Sequence, residues 1–306
     1  QRPADPADRL VWAPGDAAQC DLWFPPKKIP LEDGTAALLP VLVITLAYSR
    51  YVLGRMIPSK TTEDLLLGTW ALLGLLGRVP RRLIWDNERG IGRGRHRSEG
   101  VPAFMGTLAT RLVLLPPRDP ESKGVVERRN GWFETSFMPG RVFESPQDFN
   151  DQFTSWLGTA NARVVRTTKA RPIELVEVDK AVMLPLPPAV LHLGWRNHVR
   201  LGRDYYVRVD TSDYSVHPSA IGGRVDVTAD LEKVRVRHGG RLVAEHDRRW
   251  ARGMTVTDPG HVHAAAMLRR AFQGRDVVPA GDPPEAMVRD LADYDRAFGL
   301  DAGGLS

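Results

Sequence analysis

The chain has 306 residues, 42% apolar and 26% charged, enough for two or three compact units of ordinary soluble composition. Lysine and arginine number 42 against 37 acids, a net charge of +5 that leans toward a polyanionic partner. One cysteine, Cys20, excludes an internal disulfide and a cysteine zinc site, and fits the reducing cytoplasm, the expected location.

Residues 1–17 are rich in Pro, Ala and Asp and read as a leading arm. Gln1 instead of Met reads as the start of a fragment, with no signal peptide. Residues 18–24 alternate loosely as a first strand, broken by Pro25 and Pro26. The longest apolar run, 36–48, is too short to span a membrane; within it, 38–47 reads as a central strand covered on both faces. A third strand follows at 51–57. Thr61 or Thr62 then caps a helix through Leu76, with Glu63 and Asp64 at its positive end and Gly77 closing it. RLIW, residues 82–85, is a short strand ending at Asp86. A helix at 102–110, a strand at 112–115, a helix opened by Asp119 and Pro120 that runs past Glu127, and an amphipathic helix at 146–165 complete an α/β layout with a mixed sheet.

Composition changes at 184–188, Leu-Pro-Leu-Pro-Pro, which reads as a linker. Beyond it, YYVRV, YSVHP, GRVDVTA, KVRVRH and RLVAEH are short strands evenly spaced, the pattern of a small β-barrel. Helices are expected at 261–273 and 284–299. The expected division is a leading arm 1–17, a core 18–183, a barrel 184–252 and a helical tail 253–306.

Three acids fall where chemistry can gather. Asp21 lies inside the first strand, Asp86 at the end of a later strand and Glu127 on a helix. In an open α/β sheet, ligands collect at the carboxyl ends of strands. Phosphodiester transfer passes through a strongly anionic transition state, and two hard cations held by carboxylates can activate the attacking oxygen and stabilise the leaving one. Each acid alone has an ordinary reading: a solvated strand residue, a turn former, an exposed helix acid. Their occurrence in order, with the surrounding motif, favours a common site. Lys123, Glu127, Asn130 and Glu134 are spaced four, three and four apart and share one helix face, while Val125, Val126 and Phe133 point to the sheet.

The run 116–134, PPRDPESKGVVERRNGWFE, resembles the catalytic core of retroviral integrases and related transposases, in which Pro-x-Ser-x-Gly-x-x-Glu sets the last catalytic Glu on its helix. Ser122, Lys123, Gly124, Glu127, Arg128 and Asn130 fit that pattern; Asp86-Asn87 resembles the second-Asp signature, and Gln19-x-Asp21 the first. The chain resembles IstA-type transposases of insertion-sequence family twenty-one, over roughly residues 10 to 250. The resemblance implies an RNase H-like mixed sheet with flanking helices, then a small β-barrel and C-terminal helices. It implies Asp21, Asp86 and Glu127 as catalytic ligands of two Mg2+ or Mn2+ ions. It also implies transposon-end and target DNA as substrates, a homo-oligomer that holds two ends together, and a separate AAA+ ATPase helper. That family carries helix-turn-helix readers ahead of the core, and no such pattern is read in residues 1–17. Glu88 stands where many relatives have Gly. A non-catalytic nucleic-acid-binding scaffold and an RNase H- or resolvase-like nuclease remain alternatives.

Seven arginines crowd residues 78–97 beside Asp86, and Gly90, Gly92 and Gly94 alternate with three of them, in a loop whose arginines are Arg89, Arg93, Arg95 and Arg97. This is a phosphate-contacting loop or a flexible basic surface; no Gly-Lys-Ser/Thr follows, so no ATP loop is expected. Lys123, Arg128 and Asn130 are candidate DNA contacts on the Glu127 helix. In KVRVRH, alternation puts Lys233, Arg235 and Arg237 on one face, a candidate DNA-backbone surface or a solvated exterior. His261 and His263 read as a capping or surface feature.

Overall fold

A computed structural model describes residues 11–86, 88–94, 96–115, 130–188 and 193–274. A five-stranded mixed sheet is assembled from β1 (Ala17–Trp23), β2 (Val41–Leu46), β3 (Val52–Met56), β4 (Arg82–Trp85) and β5 (Arg111–Leu114), in the order β5-β4-β1-β2-β3. The first three strands run antiparallel to their neighbours; β4 and β5 join parallel to β1 and to each other. Every residue of β2 is buried, as an apolar, β-branched run covered on both faces requires. The strand begins only at Val41, because Pro40 has no N–H to give to a ladder.

The two faces of the sheet bury different cores. On one, Ala18, Cys20, Leu42 and Ile44 pack against α1 (Thr62–Leu76) and α2 (Val101–Thr107). On the other, Trp23, Val41 and Val43 meet an aromatic cluster from a third helix, α3, whose described part is 130–136, and from α4 (Pro146–Asn161). Trp23, Phe133, Phe137, Phe149 and Phe153 are all fully buried there. Helix α1 is set by local chemistry: the Thr61 hydroxyl accepts from Asp64 N, and Gly77 adopts φ 74° at the C-cap.

Several expectations need correction. A fifth helix, α5 (Pro172–Val182), has few buried apolar residues and left no strong periodicity to read. The expected linker is partly paired: Leu184–Pro185 forms a two-residue antiparallel ladder with Arg78–Val79. The basic loop is a tight hairpin, Gly92–Arg93 against His96–Arg97. The pattern also passed over β6 (Trp195–Arg200), a largely exposed strand with one Val and one Trp. It pairs with β9 (Arg224–Ala229), then β10 (Lys233–His238) and β11 (Arg241–Asp247), in a four-stranded antiparallel sheet. A separate three-stranded sheet holds β7 (Tyr206–Val209), β8 (Ser212–Ser215) and β12 (Thr255–Val256). These two sheets share one apolar core around Val207, Tyr214, Val225 and Val236, but their ladders do not close into a barrel among the described residues. Between β8 and β9 the chain turns through a short 3-10 segment, Pro218–Ala220, which ends the ladder where closure would need it to continue. Two bonds bridge toward Arg241–Asp247: His217 N donates to Val243 O, and the His246 ring Nε2 lies 2.6 Å from Ser215 O.

By internal contacts Gln1–His261 is one compact unit and Val262–Ser306 another; α6 (Pro259–Gln273) runs across the division. The expected helix at 284–299 lies outside the described residues. No described helix is long and apolar enough to cross a membrane.

Candidate active site and nucleic-acid surface

The register of two parallel strands brings Asp21 and Asp86 together. Cys20 on β1 is paired with Trp85 on β4, so the next residue on each chain is an aspartate. Neighbouring strands lie about 4.8 Å apart. Side chains alternate along β1, with Cys20 in the α1 core and Trp23 in the aromatic one. Asp21 therefore shares the face covered by α3 and α4. Both aspartates line one cavity of about 140 Å³, with Phe24 and Glu88 on its wall. Asp21 is half-buried and Asp86 exposed, so the cavity opens to solvent on the Asp86 side.

Helix α3 reaches the same place. Asn130 Nδ2 donates to Asp21 Oδ2 at 3.5 Å, the long limit of a hydrogen bond. The other amide atom of Asn130, Oδ1, is buried with no partner among the described residues. Asn130, a candidate DNA contact, is thus also a neighbour of the first aspartate. Phe133 is buried in the aromatic core and Glu134 exposed, as the helix-face reading required. Glu127, Lys123, Arg128 and Arg95 lie outside the described residues.

Glu88 is the acid that sequence reasoning treated only as a departure. Its carbonyl accepts from Ile91 N and Gly92 N, and this turn sets its side chain at the cavity with the two aspartates. Among the described residues, no three His, Cys, Asp or Glu side chains converge closely enough to hold a metal ion. The donor set itself suits a hard cation: carboxylate oxygens, with an amide oxygen lacking a partner close by.

Around this pair the basic residues differ in availability. Arg89 and Arg93 are exposed on the hairpin. Arg97 folds back, its Nη1 donating to Gly94 O at 2.8 Å, and so braces the turn. On β10, Val234 and Val236 are fully buried and Lys233, Arg235 and Arg237 alternate with them, as expected. Two of those three are committed to acids. Lys233 Nζ meets Asp247 at 2.7 Å, and Arg235 meets Asp230 at 2.5 Å and Glu245 at 2.7 Å. Asp247 holds the Lys233 ammonium above its usual range, and Asp230 does the same for Arg235. Arg237 donates to Gly240 O and carries no salt bridge among the described residues. The expected basic face is thus interleaved with carboxylates. Of His261 and His263, expected as a capping or surface feature, His263 is exposed and His261 is buried, with its Nδ1 2.9 Å from Ser215 Oγ.

Comparison with known proteins gives a consistent answer. Residues 186–258 match the family described as Mu transposase, C-terminal domain. A protein named as a transposase in Mycobacterium tuberculosis is 27% identical over 257 residues, covering 81% of this chain and 61% of its own length. The transposase for an IS21-like insertion sequence element of Bacteroides fragilis is 25% identical over 265 residues, covering 81% of this chain and 50% of that protein. The chain thus spans about half to three-fifths of these relatives' length. Among solved structures, a simian T-cell lymphotropic virus intasome in complex with a PP2A regulatory subunit aligns at 17% identity and a TM-score of 0.44, covering 82% of each chain. The catalytic core domain of BIV integrase aligns at 16% identity and a TM-score of 0.40, covering 53% of this chain and 94% of that one. In sequence, the chain is similar to insertion-sequence transposases, the IS21-like one among them.

Proposed function

We propose that this chain is the catalytic region of a DNA transposase that cuts and joins phosphodiester bonds with Asp21, Asp86 and Glu127 as its carboxylates. The observation that carries the reading is the strand register that sets Asp21 beside Asp86 on the wall of one solvent-open cavity. Glu127 precedes Asn130 by three residues, the spacing at which helical side chains share a face, and Asn130 is within reach of Asp21. The three would hold two Mg2+ or Mn2+ ions, whose chemistry when bound is to acidify an attacking hydroxyl and neutralise the phosphate.

The rest falls to the chain's own side chains. Asn130 fixes the orientation of Asp21. Arg89 and Arg93, exposed beside Asp86, would contact the phosphate backbone, with Arg95, Arg97, Lys123 and Arg128 as further candidates. Arg237 is the residue of β10 most available to a second stretch of DNA. In this reading 18–183 is the core and 184–252 a small β-rich domain, with the arm 1–17 and tail 253–306 outside them. Two DNA ends must be held at once, which calls for more than one copy of the chain, in the cytoplasm where the DNA is. An AAA+ ATPase helper follows from the resemblance to IstA-type enzymes alone.

The test is a strand-transfer assay on a short transposon-end duplex with Mg2+ or Mn2+, comparing wild type with Asp86→Asn and Glu127→Gln. Removing a metal ligand should cost more than the tenfold to hundredfold typical of losing a group that only supports one. Joining that is equal in all three proteins points to a scaffold. Cleavage of RNA in a hybrid, without joining, points to a nuclease on this fold.

A further inference from the structure

Asp21 and Asp86 share their cavity with a third carboxylate. Glu88 stands two residues beyond Asp86 and lines the same wall. A tight turn fixes it there: Glu88 N donates to Asp86 O at 2.6 Å, and Glu88 O accepts from Ile91 N at 2.9 Å and Gly92 N at 2.8 Å. Its side chain forms no salt bridge among the described residues. The three described acids do not converge closely enough to seat an ion together. Glu88 therefore adds charge to the cavity without completing a ligand set. Nothing on the described wall offsets that charge, since the other lining residues are Cys20, Leu22, Phe24 and Trp85. A cleft with apolar walls and one sign of charge focuses its field.

Two open hydrogen-bonding atoms mark the cavity as a place that is filled. Trp85 is 1% exposed, and its Nε1 has no partner among the described residues. Asn130 Oδ1, beside Asp21, has none either. An occupant that carries O–H groups, such as the water shell of a hard cation, satisfies a donor and an acceptor together. Just outside, the charge changes sign. Glu88 and Phe24 also line a larger groove of about 1090 Å³, where Lys60, Arg89, Arg93 and Arg252 are all exposed. The other acids of that groove are Asp33 and Glu63, two against four. Glu88 thus stands where a basic surface gives way to an acidic one.

We infer that Glu88 is an electrostatic gate on the aspartate pair: its charge, added to those of Asp21 and Asp86, keeps a DNA phosphate out of the cavity until bound cations reverse the balance. This inference rests on the reading of the chain as a metal-dependent DNA-joining enzyme. It adds a residue that makes phosphate entry conditional on metal, without itself being a metal ligand.

The gate is read in binding, apart from the joining reaction. Ca2+ takes the same hard oxygen ligands as Mg2+. Fluorescence anisotropy of a labelled duplex at low ionic strength compares each protein in a chelator and in Ca2+. Glu88→Gln keeps the length of the side chain and the backbone turn. In chelator it should bind DNA about fivefold more tightly than wild type, the effect of one like charge a few ångströms away in a water-like medium. In Ca2+ the two proteins should bind equally. Glu63→Gln removes an exposed acid of the groove that does not line the cavity, and should shift both conditions alike. Mn2+ titration followed by electron paramagnetic resonance should count as many bound ions in Glu88→Gln as in wild type. Equal affinities in chelator, or a gain that persists unchanged in Ca2+, overturn the gate. So does a lost Mn2+ ion, which would make Glu88 a ligand. The joining reaction is judged separately, by Asp86→Asn in the strand-transfer assay.

Discussion

At the scale of single residues, burial decides what a side chain can do. His261 sits among Ser215, His246, His217 and Asp258, and burial pushes its imidazole below the usual 6.5, with the two other histidines adding to the effect and Asp258 opposing it. The folded protein therefore favours neutral His261, whereas the unfolded chain takes up a proton near 6.5. The stability this provides is complete above 6.5 and is lost as pH falls through the lower folded value. Thermal melts at pH 7.5 and 5.5 should show a lower midpoint at 5.5, and His261→Gln should flatten the difference. A wild-type midpoint that does not move would contradict the assignment. The burial itself was not legible in His-x-His, because the Ser215 partner lies 46 residues away. Asp21 and Asp86 were legible for the opposite reason: each sits in or just after a short apolar run whose strand character is local. The link from Asn130 to Asp21 spans 109 residues and left no local trace.

At the scale of elements, helix α4 does more than bury an apolar face. Strand β3 is the edge of the sheet, with backbone groups that β2 cannot reach. Two asparagines of α4 take them. Asn161 Oδ1 accepts from Val52 N at 2.9 Å, and its Nδ2 donates to Val52 O at 2.9 Å. Asn150 makes the same pair of bonds with Met56, at 2.7 and 3.3 Å. The helix comes close enough because Gly54 lies between them: a Cβ there would stand 2.5 Å from the Phe153 ring. Asn161 is 4% exposed, so water cannot replace it. Asn161→Leu should destabilise the fold by about 1–3 kcal/mol for each stranded backbone group, read from urea unfolding. Asn161→Asp, which keeps the acceptor but loses the donor, should cost less than Asn161→Leu if the Val52 N–H is the dominant group. The helix itself was readable from Pro146 and the apolar period, though it ends at Asn161 and not at 165; its cap, Ser145 Oγ accepting from Asp148 N, is a finding of the structure. The helix's strand-like role was not readable, since periodicity records which face is apolar and not which amides meet a sheet edge.

At the scale of the whole described unit, the α/β core was legible and the closure of the second region was not. Alternating Val and charged residues identify strands, but whether ladders meet around a ring depends on pairings between distant segments, and here two sheets remain open. Among the links that fasten that region to the core is a buried ion pair that no pattern announces. Arg248, just after β11, donates to both oxygens of Asp64 in the first turn of α1, at 2.7 and 3.2 Å, and to Asp210 at 2.9 Å. Its side chain is 4% exposed and that of Asp64 0%. Burial works against both charges: it pushes the Asp64 carboxyl up, with Arg248 and Ser59 pulling back. For Arg248, the attraction of Asp64 and Asp210 outweighs burial and holds the guanidinium charged. Arg248→Met alone leaves a buried carboxylate with only Ser59 beside it and should cost about 3–5 kcal/mol; Asp64→Leu alone leaves a buried cation that keeps Asp210 and should cost less. The double substitution removes both burial penalties and should cost clearly less than the sum of the singles. Chemical denaturation of the four proteins measures this coupling. Strict additivity would mean that the pair is solvated in solution and that the two regions are held by their other contacts, among them the Arg55–Glu232 ion pair and the bonds from Trp250 N and Ala251 N to Glu32.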